Sequence, residues 1–152
     1  YAGVMITNKG PKVIEFNCRF GDPETQVILP RLNADLVSIV QKTIKKNIKD
    51  ITIDFIPQSA ITVVIASKGY PGEFKKEVLL PSLKNFNDKT EISVFHSGTS
   101  KDKNGNIVSN GGRVLSITSV GANVQDCRQK AYGIVEAINW EQGFYRKDIG
   151  KL

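Results

Sequence analysis

The run "VIEFNCRFGDPETQ", residues 13–26, changes character half-way along its length. Its first half has the alternation of a strand, in which successive side chains point to opposite faces. Val13, Glu15 and Asn17 therefore share one face, and Ile14, Phe16 and Cys18 share the other, which is the expected core face. Burying a carboxylate or an amide is costly unless something pairs with it. Glu15 and Asn17 are thus either a solvated strand face or a pair of oxygen donors. Mg²⁺ and Mn²⁺ use few protein oxygens and complete their shells with phosphates and water, and the spacing leaves both readings open. Arg19 adds a planar fork suited to phosphate or carboxylate. Asp22 is placed to cap a short helix with Pro23 in its first turn, and Pro30 is placed to end it.

Upstream, residues 4–6 and 12–18 read as two strands joined by the turn chemistry of Asn8, Lys9, Gly10 and Pro11, which predicts a hairpin. Downstream, Leu36, Ile39, Val40, Thr43, Ile44 and Ile48 recur at helical spacing. They predict a helix over residues 35–48, capped by Asp35 or Asn33. Pro57 and Gln58 read as a linker. "SAITVVIAS", residues 59–67, is a β-branched run expected to be a central strand buried on both faces. "KGYPGEF", residues 68–74, is a turn. Residues 91–96 and 112–118 read as further strands, with a strong turn at 102–106. Residues 124–138 carry the apolar stripe of a second helix, and the tail at 143–150 reads as irregular. The predicted fold class is α+β. A hairpin and a helix come first (residues 1–50), followed by a small, mainly antiparallel sheet with one long helix (residues 51–152).

The 152 residues carry a net charge of +6, with 40% hydrophobic and 24% charged residues, which is the composition of a soluble globular chain. No apolar run approaches the roughly 20 residues of a membrane helix, and no secretory pattern opens the chain. The chain begins at Tyr1 and enters directly into "VMIT", so it is expected to be a piece of a longer protein. Lys42, Lys45, Lys46 and Lys49 gather at a helix end, where cations complement the macrodipole. No aromatic residues interleave with them, as a single-strand nucleic-acid binder would need. Cys18 and Cys127 lack metal-ligand spacing and read as two reduced thiols. His96 reads as structural or surface, Gly111-Gly112-Arg113 as a flexible turn, and Trp140, Phe144, Tyr145 and Arg146 as tail packing. Asp148 is expected to pair with Arg146 or with another domain.

"EFNCRFGDPETQ", residues 15–26, resembles the signature of the phosphoribosylamine–glycine ligase (glycinamide ribonucleotide synthetase) family, within the ATP-grasp superfamily. "YAGVMIT", "VILPRL", "ASKGYPGEF", "VFHSGT", "GGRVLSIT" and "FYRKDIG" resemble the same family in the same order. The resemblance implies a cytoplasmic purine-biosynthetic (IMP) ligase that joins glycine to 5-phosphoribosylamine through a glycyl phosphate, converting ATP to ADP. It implies Mg²⁺ or Mn²⁺ bound by Glu15 and Asn17, and Arg19 near the transferring phosphate or the substrates. For Asp22 it leaves a substrate contact and a plain helix cap equally open. It also implies that an amino-terminal domain and most of the ATP-grasp portion lie before Tyr1, and that this piece alone is inactive. No nucleic-acid or membrane partner is expected. The alternatives are another ATP-grasp carboxylate–amine ligase or carboxylase, and a basic nucleic-acid-binding module.

Overall fold

The computed structural model describes residues 1–86 and 90–151. Strands β1 (Ala2–Thr7) and β2 (Gly10–Phe16) form the antiparallel hairpin, closed over Asn8 and Lys9. A short helix α1 (Thr25–Ile28) runs into a 3₁₀ turn at Leu29–Arg31, and α2 spans Leu36–Ile44. The remaining elements are β3 (Ser59–Ser67), β4 (Ile92–His96), β5 (Thr99–Lys101), β6 (Ile107–Ser109), β7 (Arg113–Gly121), α3 (Val124–Ile138) and β8 (Gly143–Phe144). The architecture is α+β, as expected.

The principal sheet is antiparallel in the order β4-β7-β3-β8. On one face Ile61, Val63, Ile65, Leu115 and Ile117 pack against Cys127, Ala131, Ile134, Val135 and Ile138 of α3. Asn123 caps α3, its side chain accepting from the Asp126 amide at 2.9 Å. Though drawn from separate segments of the chain, these apolar side chains form one contiguous core, the main favourable term in the fold. The strand buried on both faces is β7, where Val114 through Ser119 are all buried. β3 alternates between buried and half-buried residues, because its outer neighbour β8 is only two residues long.

The second face of the sheet carries Thr62, Val64, Ser116 and Thr118, and a hydroxyl pair, Thr62 with Thr118, spans it at 2.8 Å. The α1 segment and its 3₁₀ turn lie over this face. The linker is held beside that turn. Arg31 O accepts from Ile56 N at 2.9 Å, Asn33 N donates to Asp54 O at 2.9 Å, and Arg31 Nη2 donates to Ile56 O at 3.2 Å. The segment that follows the signature is thereby fastened to the linker that leads into β3.

Several local expectations are corrected. Ile14, Phe16 and Cys18 are exposed, since among the described residues β2 pairs only with β1. Asp22 does not cap α1. The helix opens at Glu24 with no side-chain cap, while the Asp22 carboxylate accepts from Gln26 Nε2 at 3.0 Å. Helix α2 stops at Ile44 rather than 48, and Lys46 takes a left-handed φ of 59°. Its predicted cap Asp35 is in place, accepting from Val37 N at 2.9 Å. Gly111 and Gly112 are required for space rather than for flexibility. A Cβ on Gly112 would lie 2.1 Å from Tyr70 Cδ2.

The tail is ordered by side chains of α3. Tyr132 Oη donates to Arg146 O at 2.6 Å and accepts from Ile149 N at 3.1 Å. Arg128 lies over the Tyr132 ring, 4.5 Å from its centre, and donates to the carbonyls of Ile149 and Lys147. Asp148 pairs with Arg146, whose hydrogen bonds hold the carboxyl below its ordinary range. Trp140 Nε1 donates to Leu79 O at 3.0 Å, and Trp140 and Tyr145 pack against the core, whereas Phe144 is exposed, contrary to the packing role expected of it. Cys18 and Cys127 are both free thiols, and burial pushes the Cys127 thiol up.

Candidate functional site

The site begins at the open end of the hairpin. Glu15 is exposed on β2 and accepts a hydrogen bond from Tyr1 Oη at 3.1 Å. Asn17 follows the strand and exchanges main-chain bonds with Tyr1, at 2.8 Å from its own amide and 2.6 Å to its own carbonyl. Asn17 Nδ2 is buried without a partner among the described residues. An orphaned amide end is costly when the site stands as it is.

Glu15 near the end of β2 and Asn17 just beyond it are two hard oxygen donors two residues apart. Among the described residues no group of three or more His, Cys, Asp and Glu gathers into a metal cage. Two protein oxygens fit a small divalent cation that draws its remaining ligands from phosphates and water. The donor set is wrong for a structural zinc, which requires four nitrogen or sulfur ligands.

Arg19 occupies the ridge where the hairpin leaves for α1. Nη1 donates to Phe20 O at 3.1 Å, and the other guanidinium donors have no partner among the described residues. Two clefts meet at this ridge. One, of about 720 Å³, is lined by Asn17, Cys18, Arg19 and Ile28. The other, of about 680 Å³, is lined by Arg19, Asp22, Phe95, His96 and Arg113. Arg19 thus faces the oxygen-donor corner on one side and the carboxy-terminal sheet on the other.

His96 and Arg113 are the residues that sequence reasoning set aside. β4 and β7 are neighbours with His96 opposite Leu115, and this register brings the ends of "VFH" and "GGRV" to the same edge of the sheet. His96 Nδ1 lies 3.1 Å from Thr99 Oγ1. Arg113 Nη1 donates to Asp22 O at 2.8 Å, and Nη2 lies 3.3 Å from Asp22 Oδ2. The available signal was two chemistry-bearing residues at the ends of predicted strands, where loops present side chains to ligands. Pairing those two strands was the step that sequence could not supply.

Comparison with known proteins identifies the family. Residues 60–152 match the family model of the phosphoribosylglycinamide synthetase C domain, and residues 1–25 match that of the phosphoribosylglycinamide synthetase ATP-grasp (A) domain. The chain is 43% identical over 150 residues to a phosphoribosylamine–glycine ligase of Brucella melitensis, covering 99% of this chain and 35% of that protein. It is 46% identical over 151 residues to the trifunctional purine biosynthetic protein adenosine-3 of Gallus gallus, covering 15% of that protein. A crystal structure of phosphoribosylamine–glycine ligase from Thermotoga maritima superimposes with a TM-score of 0.73 at 28% identity, covering 97% of this chain and 35% of that one. The chain thus spans about a third of the length of its single-function relatives. With the C-domain model matching more than half of its residues, and a hairpin, signature and sheet arranged as described, the chain belongs to the phosphoribosylglycinamide synthetase family.

Proposed function

We propose that this chain is the metal-holding corner and the carboxy-terminal domain of a phosphoribosylamine–glycine ligase. Residues 1–50 would end the ATP-grasp domain and residues 51–152 would form the carboxy-terminal domain. The complete protein would join glycine to 5-phosphoribosylamine in the cytoplasm, converting ATP to ADP and phosphate during purine synthesis. The observation that carries this reading is the position of Arg19. It stands between the cleft beside Asn17 and the cleft beside His96 and Arg113. A ligase of this chemistry needs a phosphoryl group and an amine brought to one point from two directions.

Glu15 and Asn17 would hold Mg²⁺ or Mn²⁺ by their side-chain oxygens. When bound, the ion supplies charge neutralisation to phosphate oxygens. The Arg19 guanidinium would bind the phosphoryl group as it passes from ATP to the glycine carboxylate, its fork matching two oxygens at once. The amine nitrogen of the sugar phosphate would then bond to the glycyl carbon and give up a proton to solvent, while phosphate leaves with the electron pair of the broken C–O bond. Contacts to adenine, and to most of the triphosphate, would come from the part of the relatives that precedes the matched region.

The test is a coupled ADP-release assay with ATP, glycine, 5-phosphoribosylamine and Mg²⁺. It compares the 152-residue chain with the complete protein. ADP release that requires both glycine and the amine, in the complete protein alone, supports the reading. ADP release that is indifferent to glycine overturns it.

A further inference from the structure

We propose that Arg113 is a positioning residue: through Asp22 it ties the signature loop to the carboxy-terminal sheet and so sets the aim of Arg19. Only the kinetic half of its test rests on the ligase reading above.

Arg113 is itself rigidly placed. Its carbonyl accepts from Gly98 N at 2.8 Å. It follows two glycines that allow close packing, a Cβ on Gly111 lying 3.0 Å from Gly98 Cα. It also sits opposite Ala66, where the β3–β7 register shifts after Ile65. From this fixed base the guanidinium reaches across to residues 91 positions earlier. Nη1 donates to the Asp22 carbonyl at 2.8 Å and Nη2 pairs with Oδ2 at 3.3 Å.

Asp22 is fully engaged by these contacts. Oδ2 faces Arg113, Oδ1 accepts from Gln26 Nε2 at 3.0 Å, and the main-chain oxygen is taken by Nη1. A carboxylate in that state is a tie point rather than a free ligand for substrate. Arg19 lies three residues before it in the same turn, on the edge of the same cleft. The side chains of Arg113 and Asp22 are 41% and 47% exposed, and an ion pair so open to solvent contributes little to stability. Its effect is geometric: it fixes where one wall of the cleft stands relative to the other.

The experiment uses the complete protein with Arg113→Ala, Arg113→Lys, Asp22→Ala and the Arg113→Ala/Asp22→Ala pair. Arg113→Ala is expected to lower kcat/KM by about tenfold to a hundredfold, the usual cost of misplacing a reacting group by about 1 Å. Asp22→Ala should lose less, because its carbonyl still accepts from Arg113. The double variant should be no worse than Arg113→Ala alone, since the two act as a unit. Arg113→Lys should recover part of the loss, and all variants should melt within a few degrees of the parent. Hydrogen exchange over residues 19–28 should quicken in Arg113→Ala. Losses that multiply in the double variant would mean that each residue meets substrate on its own, and the proposal falls. Unchanged exchange over residues 19–28 overturns it whatever the kinetics show. If the complete parent releases no glycine-dependent ADP, the ligase reading fails by itself, and the exchange measurement still decides the tie.

Discussion

The Gly98 amide donates to the Arg113 carbonyl at 2.8 Å, and a Cβ on Gly98 would lie 2.7 Å from that same oxygen and 2.6 Å from Gly111 Cα. The bond and the crowding come from one close approach of two backbones. No rotamer change can relieve it, because every atom involved is main chain. Gly98→Ala is expected to destabilise the fold by about 1–3 kcal/mol, the usual cost of forcing atoms into a packed site. Urea unfolding of the complete protein measures this, and a midpoint equal to the parent's would refute the contact.

Glu15 faces solvent on a strand that pairs only with β1. Glu15→Ala should therefore leave the fold intact. In the complete protein it should lower ligase activity by on the order of a hundredfold or more, given that even outer partners of metal ligands cost tenfold to a hundredfold. Mn²⁺ binding followed by electron spin resonance gives a readout independent of turnover. Parental Mn²⁺ affinity in the variant would remove Glu15 from the metal site.

Asp126 accepts from Ala122 N at 3.0 Å and from Lys130 Nζ at 2.8 Å. These bonds, that of Lys130 first, hold its carboxyl below the ordinary range. A carboxyl lowered in the folded state contributes stability above its unfolded pKa of about 3.9, and that contribution is lost as pH falls through the lower folded value. Asp126→Asn should be less stable than the parent at pH 7, and the gap should begin to narrow below about pH 4 and close only below the lower folded value. Denaturant titrations at the two pH values check it. A gap that does not narrow at all as pH falls below about 4 would assign the effect to packing instead.

Tyr132 Oη serves two main-chain groups of the tail, Arg146 O and Ile149 N. Tyr132→Phe removes both bonds while keeping the ring over which Arg128 lies. The expected loss is about 1–3 kcal/mol, from two hydrogen bonds of ordinary worth. Faster exchange of the residue 146–150 amides should accompany it. A tail that exchanges at the parental rate would show that Arg128 holds it unaided.

What could be read in advance follows the range of the forces involved. The stripe of α3 and the β-branched run of β3 announce themselves because periodicity and propensity are local, and both spans match the structure. The strands β5 and β6 went unread although the turn between them was recognised. Three residues such as Thr99–Lys101 carry no period. Helix α2 ends early because Lys46 takes a left-handed φ without a glycine to advertise it. Arg19 and Asp22 were legible from one contiguous motif. His96 and Arg113 were not, because only the β4–β7 register joins them to that motif.

The order of strands also has a consequence for synthesis. β3 is the first strand of its sheet to be made, yet both its partners, β7 and β8, come later in the chain. β7 begins roughly fifty residues after β3 ends. At about 5–20 residues per second, the run "SAITVVIAS" waits on the order of 3–10 s with neither edge paired. A β-branched segment left open for that long is what nascent-chain chaperones hold. Slower translation between residues 67 and 113 would lengthen the wait and cost yield, with no change to the folded molecule.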